Sequence, residues 1–116
     1  MELTKNENAK KIINWAAAKK AENIKYYDVQ GQTEYTDAII ICSGTGEIHN
    51  RAIADTIIRN AKDEKIQVQH IEGYDNSKWI LLDLIDIVVH IFEEETRKYY
   101  SLNEIFSYSL AKESVE

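Results

Sequence analysis

The sequence predicts a mixed α/β domain, a five-stranded sheet packed with helices, and three observations carry that expectation. Two stretches place apolar residues at i, i+3, i+4 and i+7, the period of a helix that buries one stripe. Ala38-Ile39-Ile40-Ile41-Cys42 is apolar at every position, as a central strand covered on both faces requires. Other short runs rich in β-formers are set apart by turn signals such as Gln30-Gly31-Gln32 and Gly73-Tyr74-Asp75-Asn76-Ser77.

The first helix carries its stripe on Ala9, Ile12, Ile13 and Ala16, widened by Trp15. Thr4 and Glu7 have capping-box spacing at its start, and Lys19-Lys20 place cations where they complement the dipole at its end. Strands follow over Ile24 to Val29 and Asp37 to Cys42, and Ser43-Gly44-Thr45-Gly46 makes a flexible corner with Thr45 or a glycine as helix cap. The second helix buries Ala54, Ile57, Ile58 and Ala61 and should run to about Glu64. Three more strands are expected over Ile66 to Glu72, Lys78 to Asp83 and Ile87 to Phe92, the last two joined by a tight turn near Leu84-Ile85. Glu93-Glu94-Glu95 opens a short helix, and Ser101 with Glu104 forms a second capping pair before Ile105 and Phe106. The central strand–helix–strand segment should be a right-handed crossover joining parallel strands, and the shorter links suit antiparallel pairs.

At 116 residues the chain is expected to form one domain over 1–116, with its core at about 5–106 and a tail over 107–116. Twenty acidic residues against fourteen basic ones leave a net charge of -6. That balance disfavours direct binding to nucleic acid, whose affinity rests on Lys and Arg neutralising phosphates, and suits a basic partner. The single Cys42 forms no internal disulfide and belongs to no zinc cluster. No apolar run approaches the roughly 18 residues of a membrane span, and the first residues are polar, so a cytoplasmic protein is expected.

Few residues suggest covalent chemistry. Glycines before a helix can expose backbone N–H groups to a phosphate, but the 43–46 corner has neither the P-loop nor the dinucleotide-binding pattern. Nucleotidyltransferases hold metals between carboxylates spaced to share a strand face, whereas Asp83 and Asp86 are three apart across a turn. His49, His70 and His90 show no ligand spacing; His90, inside an apolar strand, reads as a half-buried, hydrogen-bonded residue, and Cys42 as buried and inert. Trp79-Ile80-Leu81-Leu82-Asp83 is more telling. Pleating sends Ile80 and Leu82 to one side and Trp79, Leu81 and Asp83 to the other. If helices cover the first side, the second offers tryptophan, leucine and an acid, which is interface anatomy; a strand buried on both faces fits the periodicity equally well.

Three blocks resemble the Iojap-like family, the bacterial ribosomal silencing factors: Asp28-Val29, Thr33 and Asp37 leading to Ser43-Gly44-Thr45; Arg51-Ala52-Ile53-Ala54-Asp55; and Glu72-Gly73, Trp79 to Asp83, Asp86 to Phe92, then Arg97, Tyr99-Tyr100 and Leu102. The resemblance implies a fold related to nucleotidyltransferases without their catalytic carboxylates, and a role as neither enzyme nor cofactor binder. It implies binding to the large ribosomal subunit through ribosomal protein number fourteen, which sterically blocks joining of the small subunit and represses translation when nutrients are scarce. It also implies a homodimer when free. Carried over by motif, the partner surface comprises Glu72, Lys78, Trp79, Leu81, Leu82, Asp83, Asp86 and Tyr100. Two alternatives stand beside it: a nucleotide-binding enzyme of the nucleotidyltransferase type, and a dimeric scaffold in ribosome assembly. The chain departs from the family pattern at Ala38-Ile39, at Gly46 and at Ile85, where the family has glycine. A β-branched residue disfavours positive φ, so a different turn is expected around Ile85.

Overall fold

The computed structural model describes residues 6–31 and 36–95 and the backbone of 111–114. Helix α1 spans Glu7–Ala18, and the side chain of Asn6 caps it by accepting the Ala9 N–H at 3.0 Å. The expected Thr4–Glu7 box therefore gives way to a cap two residues later, with Glu7 already inside the first turn; Thr4 itself lies outside the described residues. Ala9, Ile12 and Ala16 are fully buried, as the stripe requires. The helix closes with Ala21 N–H on the Ala16 carbonyl and Lys20 N–H on that of Ala17, while Lys20 takes φ 62°. This left-handed closure normally falls to glycine.

Helix α2 (Glu47–Asp63) has Gly46 at its cap and ends in the same closure, with Ile66 and Lys65 donating to Ala61 and Lys62 and Lys65 at φ 61°. The helices run antiparallel: Lys11 near the start of α1 meets Glu64 at the end of α2 at 2.7 Å. At the opposite end the His49 ring lies 2.7 Å from the Lys19 carbonyl.

The five expected strands are β1 (Glu22–Asp28), β2 (Ala38–Gly44), β3 (His70–Glu72), β4 (Trp79–Asp83) and β5 (Ile87–Glu93). A sixth, β6 (Ala111–Ser114), adds antiparallel to β1, so the sheet order is β3-β4-β5-β2-β1-β6. A strand in the expected tail was hidden because Ala-Lys-Glu-Ser has no β-branched residue and no apolar alternation; the pairing edge of β1 supplies what local preference lacks. Strand β3 is shorter than the run from Ile66, and just ahead of it Gln69 donates its N–H to the Asp83 carbonyl at 2.8 Å. Residues 101–106, with the second capping pair, lie outside the described residues, and helical backbone starts at Glu94.

β2 and β5 pair in parallel from Ala38↔Ile87 to Gly44↔Glu93, and the other ladders are antiparallel. Hence β3 runs parallel to β2, as a crossover predicts, but the two are not neighbours: β5 and β4 stand between them. The reason is burial, since β2 and β5 are apolar on both faces and take the centre.

One face packs under both helices through Ile40, Cys42, Ile80, Leu82, Val89 and Ile91. The second face buries Tyr27, Val29, Ile41 and Phe92, with Ile39 and Trp79 packed half-buried beside them.

The turn between β4 and β5 corrects the expectation about Ile85. Its backbone takes φ 73°, with Asp86 N–H donating to the Leu84 carbonyl at 2.9 Å around it, a strained turn of the kind glycine relieves. Asp83 Oδ1 accepts the Ile85 N–H at 2.9 Å and helps hold this geometry. Left-handed backbone costs a side-chain-bearing residue about 1–2 kcal/mol, and Ile85, 42% exposed, recovers little by burial. Ile85→Gly should therefore stabilise the domain by about 1 kcal/mol, even after glycine's larger unfolded-chain entropy. Thermal unfolding should show a midpoint raised by about 4 °C; an unchanged or lowered midpoint would show that the turn carries no strain.

Candidate docking face

Trp79 begins β4 directly after the 73–78 loop, so that loop decides where the indole sits. Helix α2 pins it. Asn50, fully buried, donates from Nδ2 to the Ser77 carbonyl at 2.6 Å. Arg51 Nη1 donates to Ser77 Oγ at 2.7 Å, and Tyr74 donates its hydroxyl to Asp55 Oδ1 at 2.7 Å. That bond to a carboxylate raises the Tyr74 pKa, because ionising the phenol would place two negative oxygens together. Within the loop, Ser77 donates its hydroxyl to the Tyr74 carbonyl and its N–H to the Gly73 carbonyl. Gly73 has φ 78° and lies so close to the Trp79 carbonyl that a Cβ there would overlap it. The Arg51–Asp55 block thus acts as a clamp on the loop, and Asn50 and Ser77 are members that motif and spacing did not reveal.

Residues opposite one another in a ladder share a face. The pairs Trp79↔Phe92, Leu81↔His90, Asp83↔Val88, Glu72↔Leu81 and His70↔Asp83 therefore collect His70, Glu72, Trp79, Leu81, Asp83, Val88, His90 and Phe92 on the second face. The indole packs on Phe92 with centroids 4.7 Å apart, and its Nε1–H donates to His90 Nδ1 at 3.0 Å. His90 in turn stacks on Phe92 at 5.9 Å with the rings 11° from parallel. To accept the indole proton His90 must be neutral at Nδ1. Burial enforces this by lowering its pKa to about 4, since a charged ring would lose its hydration. His90 is hydrogen-bonded as expected, but it is buried and not half-buried, at 8% exposed.

Of the residues carried over by resemblance, Trp79, Leu81 and Asp83 are half-buried on this face and Glu72 is exposed on it. Lys78 is exposed at the end of the loop, and Asp86 is exposed in the turn, its carbonyl accepting the N–H groups of Asp37 and Ala38. Leu82 is a correction: it is 0% exposed and points under the helices, because pleating alternates sides, so it lies behind the face and not on it. Tyr100 lies outside the described residues. The 43–46 corner uses its Thr45 N–H internally, donating to His49 Nδ1 at 2.9 Å. Among the described residues, no group of three His, Cys, Asp or Glu side chains could hold a metal ion, and no helix is long and apolar enough to cross a membrane.

A mixed sheet with helices on one face and a tryptophan-bearing, acid-flanked patch on the other defines a small protein with a surface suited to binding another macromolecule. The family model described as "Ribosomal silencing factor during starvation" matches residues 2–116. The chain is 39% identical over 103 residues to ribosomal silencing factor RsfS of Bacillus subtilis, covering 85% of this chain and 87% of that protein. A more distant relative, the mouse protein named "Mitochondrial assembly of ribosomal large subunit protein 1", is 27% identical over 99 residues, covering 83% of this chain and 43% of that one. A crystal structure from Bacillus halodurans shares 31% identity and superimposes with a TM-score of 0.79 over 96% of this chain and 99% of that one. This chain belongs to the ribosomal silencing factor family.

The His90 pKa makes a stability prediction. In the folded state the ring resists protonation until about pH 4, whereas an unfolded histidine protonates near 6.5. The unfolded chain therefore binds the proton first. The stabilisation is complete above about pH 6.5 and is lost as pH falls towards 4, a loss of about 3 kcal/mol. Denaturant unfolding across this window should show that fall, and His90→Gln should flatten it; an equal fall in both proteins would place the acid sensitivity elsewhere.

Proposed function

We propose that this chain docks on the large ribosomal subunit, through ribosomal protein number fourteen, and sterically blocks joining of the small subunit, repressing translation under nutrient limitation. Family membership and the large-subunit role named for the mouse relative support the ribosomal part of this reading. The observation that carries the choice of surface is Trp79: a half-buried indole held by Phe92 and His90 on a sheet face free of α1 and α2. Tryptophan in such a setting presents a large, ordered apolar area at little entropic cost, as binding hot spots do. Leu81 extends the apolar centre, and Glu72, Asp83 and Asp86 offer carboxylates to a basic protein. The mechanism needs occupancy alone: a footprint of roughly 1,200–2,000 Å² where the subunits meet excludes the other subunit. The protein works in the cytoplasm and, when free, as a homodimer.

Co-sedimentation with purified large subunits tests this reading. Wild type should pellet with the subunits, and Trp79→Ala should lose at least ~2 kcal/mol of binding, about thirtyfold in affinity. Asp83→Lys should bind weakly as well, and wild-type binding should weaken as salt rises, because opposite charges meet. Circular dichroism must show both variants folded, since Trp79 also packs on Phe92. Failure of wild type to bind would contradict the reading; binding by all three proteins would move the surface elsewhere.

A further inference from the structure

We propose that His90 is the positioning residue of the docking face: it takes up the indole N–H of Trp79 within the sheet, so that the partner meets only ring carbon and receives Trp79 on an apolar surface with no hydrogen-bond acceptor for it. The proposal rests on the docking reading above and adds to it a residue and the chemistry of the partner's surface. In the β4–β5 ladder Trp79 stands opposite Phe92, and His90 lies two positions along the same face. Across such a diagonal, aromatic side chains still reach one another. The ring centroids of Trp79 and His90 are 6.0 Å apart, and the indole Nε1–H meets His90 Nδ1 at 3.0 Å.

An indole has one polar atom, and it can only donate. A tryptophan at the centre of an interface therefore needs an acceptor, from its own chain or from the partner. Here the acceptor is built in. His90 is buried, stacked on Phe92, and flanked in register by Leu81 on β4 and Ile41 on β2, so neighbouring side chains hold its ring. Burial keeps that ring neutral down to about pH 4, and Nδ1 remains an acceptor at neutral pH. The cost of taking the N–H out of water is thus met when the chain folds, and docking covers a ring already satisfied. Without His90 the N–H would be left unpaired once an apolar surface covered it, and docking would carry that penalty. Glu72 and Asp83 lie on the same face, and these carboxylates, not the indole, meet the partner's cations.

The test is a double-mutant cycle on affinity for purified large ribosomal subunits, using the labelled full chain. His90→Leu keeps apolar packing and removes the acceptor, so binding should weaken about tenfold. Phenylalanine has no N–H, so in a Trp79→Phe background the same His90→Leu change should alter binding by less than about twofold. His90→Gln, whose amide oxygen accepts a hydrogen bond, should recover most of the wild-type affinity. Equal losses from His90→Leu in both backgrounds, or no loss in either, would overturn the proposal while the docking reading stands. Should His90→Leu fail to fold, replacement of Trp79 by benzothienylalanine, which keeps the ring shape without an N–H, decides instead. Affinity within about twofold of wild type supports the proposal, and a loss of about tenfold would overturn it by showing that the partner accepts from the indole. Failure of wild type to bind would remove the docking reading itself, and the proposal with it.

Discussion

Two adjacent strands apolar on both pleat faces demand cover on both sides of the sheet, and the rest of the molecule follows from meeting that demand. β2 and β5 take the centre because no edge position would bury them. The antiparallel helices cover one side, joined at their ends by Lys11–Glu64 and by the His49 bridge to the Lys19 carbonyl. The second side is graded. It is fully buried at Tyr27, Ile41 and Phe92 and becomes half-buried at Trp79 and Leu81, where acids replace aliphatic side chains. A surface with an apolar margin continuous with the core is rigid, and rigidity lowers the entropic cost of docking.

That rigidity is assembled from small constraints. α2 clamps the 73–78 loop, the loop fixes the start of β4, and β4 sets the indole on Phe92 with its N–H on His90. A neutral His90 is both consequence and requirement: burial excludes the charge, and the unprotonated Nδ1 accepts the hydrogen bond from the indole N–H.

Much of this was legible in the residues. The two helical stripes and the apolar run at 38–42 specified both helices and the central strand, and alternation in 79–83 put Trp79 and Leu81 opposite Ile80 and Leu82. What escaped has physical causes. The helix ends fell where expected, but their left-handed closures at Lys20 and Lys65 gave no signal, because such backbone usually announces itself as glycine. At Ile85 the turn was expected but its left-handed backbone was hidden in the same way. β6 exists through pairing, not propensity. The Asn50–Ser77 clamp joins residues 27 positions apart, so no local pattern signals it. Leu82 shows the opposite error, in which a motif carried over whole included a residue that the pleat turns inward.

The central claim is that occupancy of the large subunit by this face excludes the small one. The most direct measurement is light scattering during subunit joining, with large subunits first saturated by the protein. The account predicts that wild type suppresses the rise in scattering in proportion to its occupancy, and that folded Trp79→Ala at the same concentration leaves joining intact. Normal joining by large subunits shown to carry the wild-type protein would contradict it.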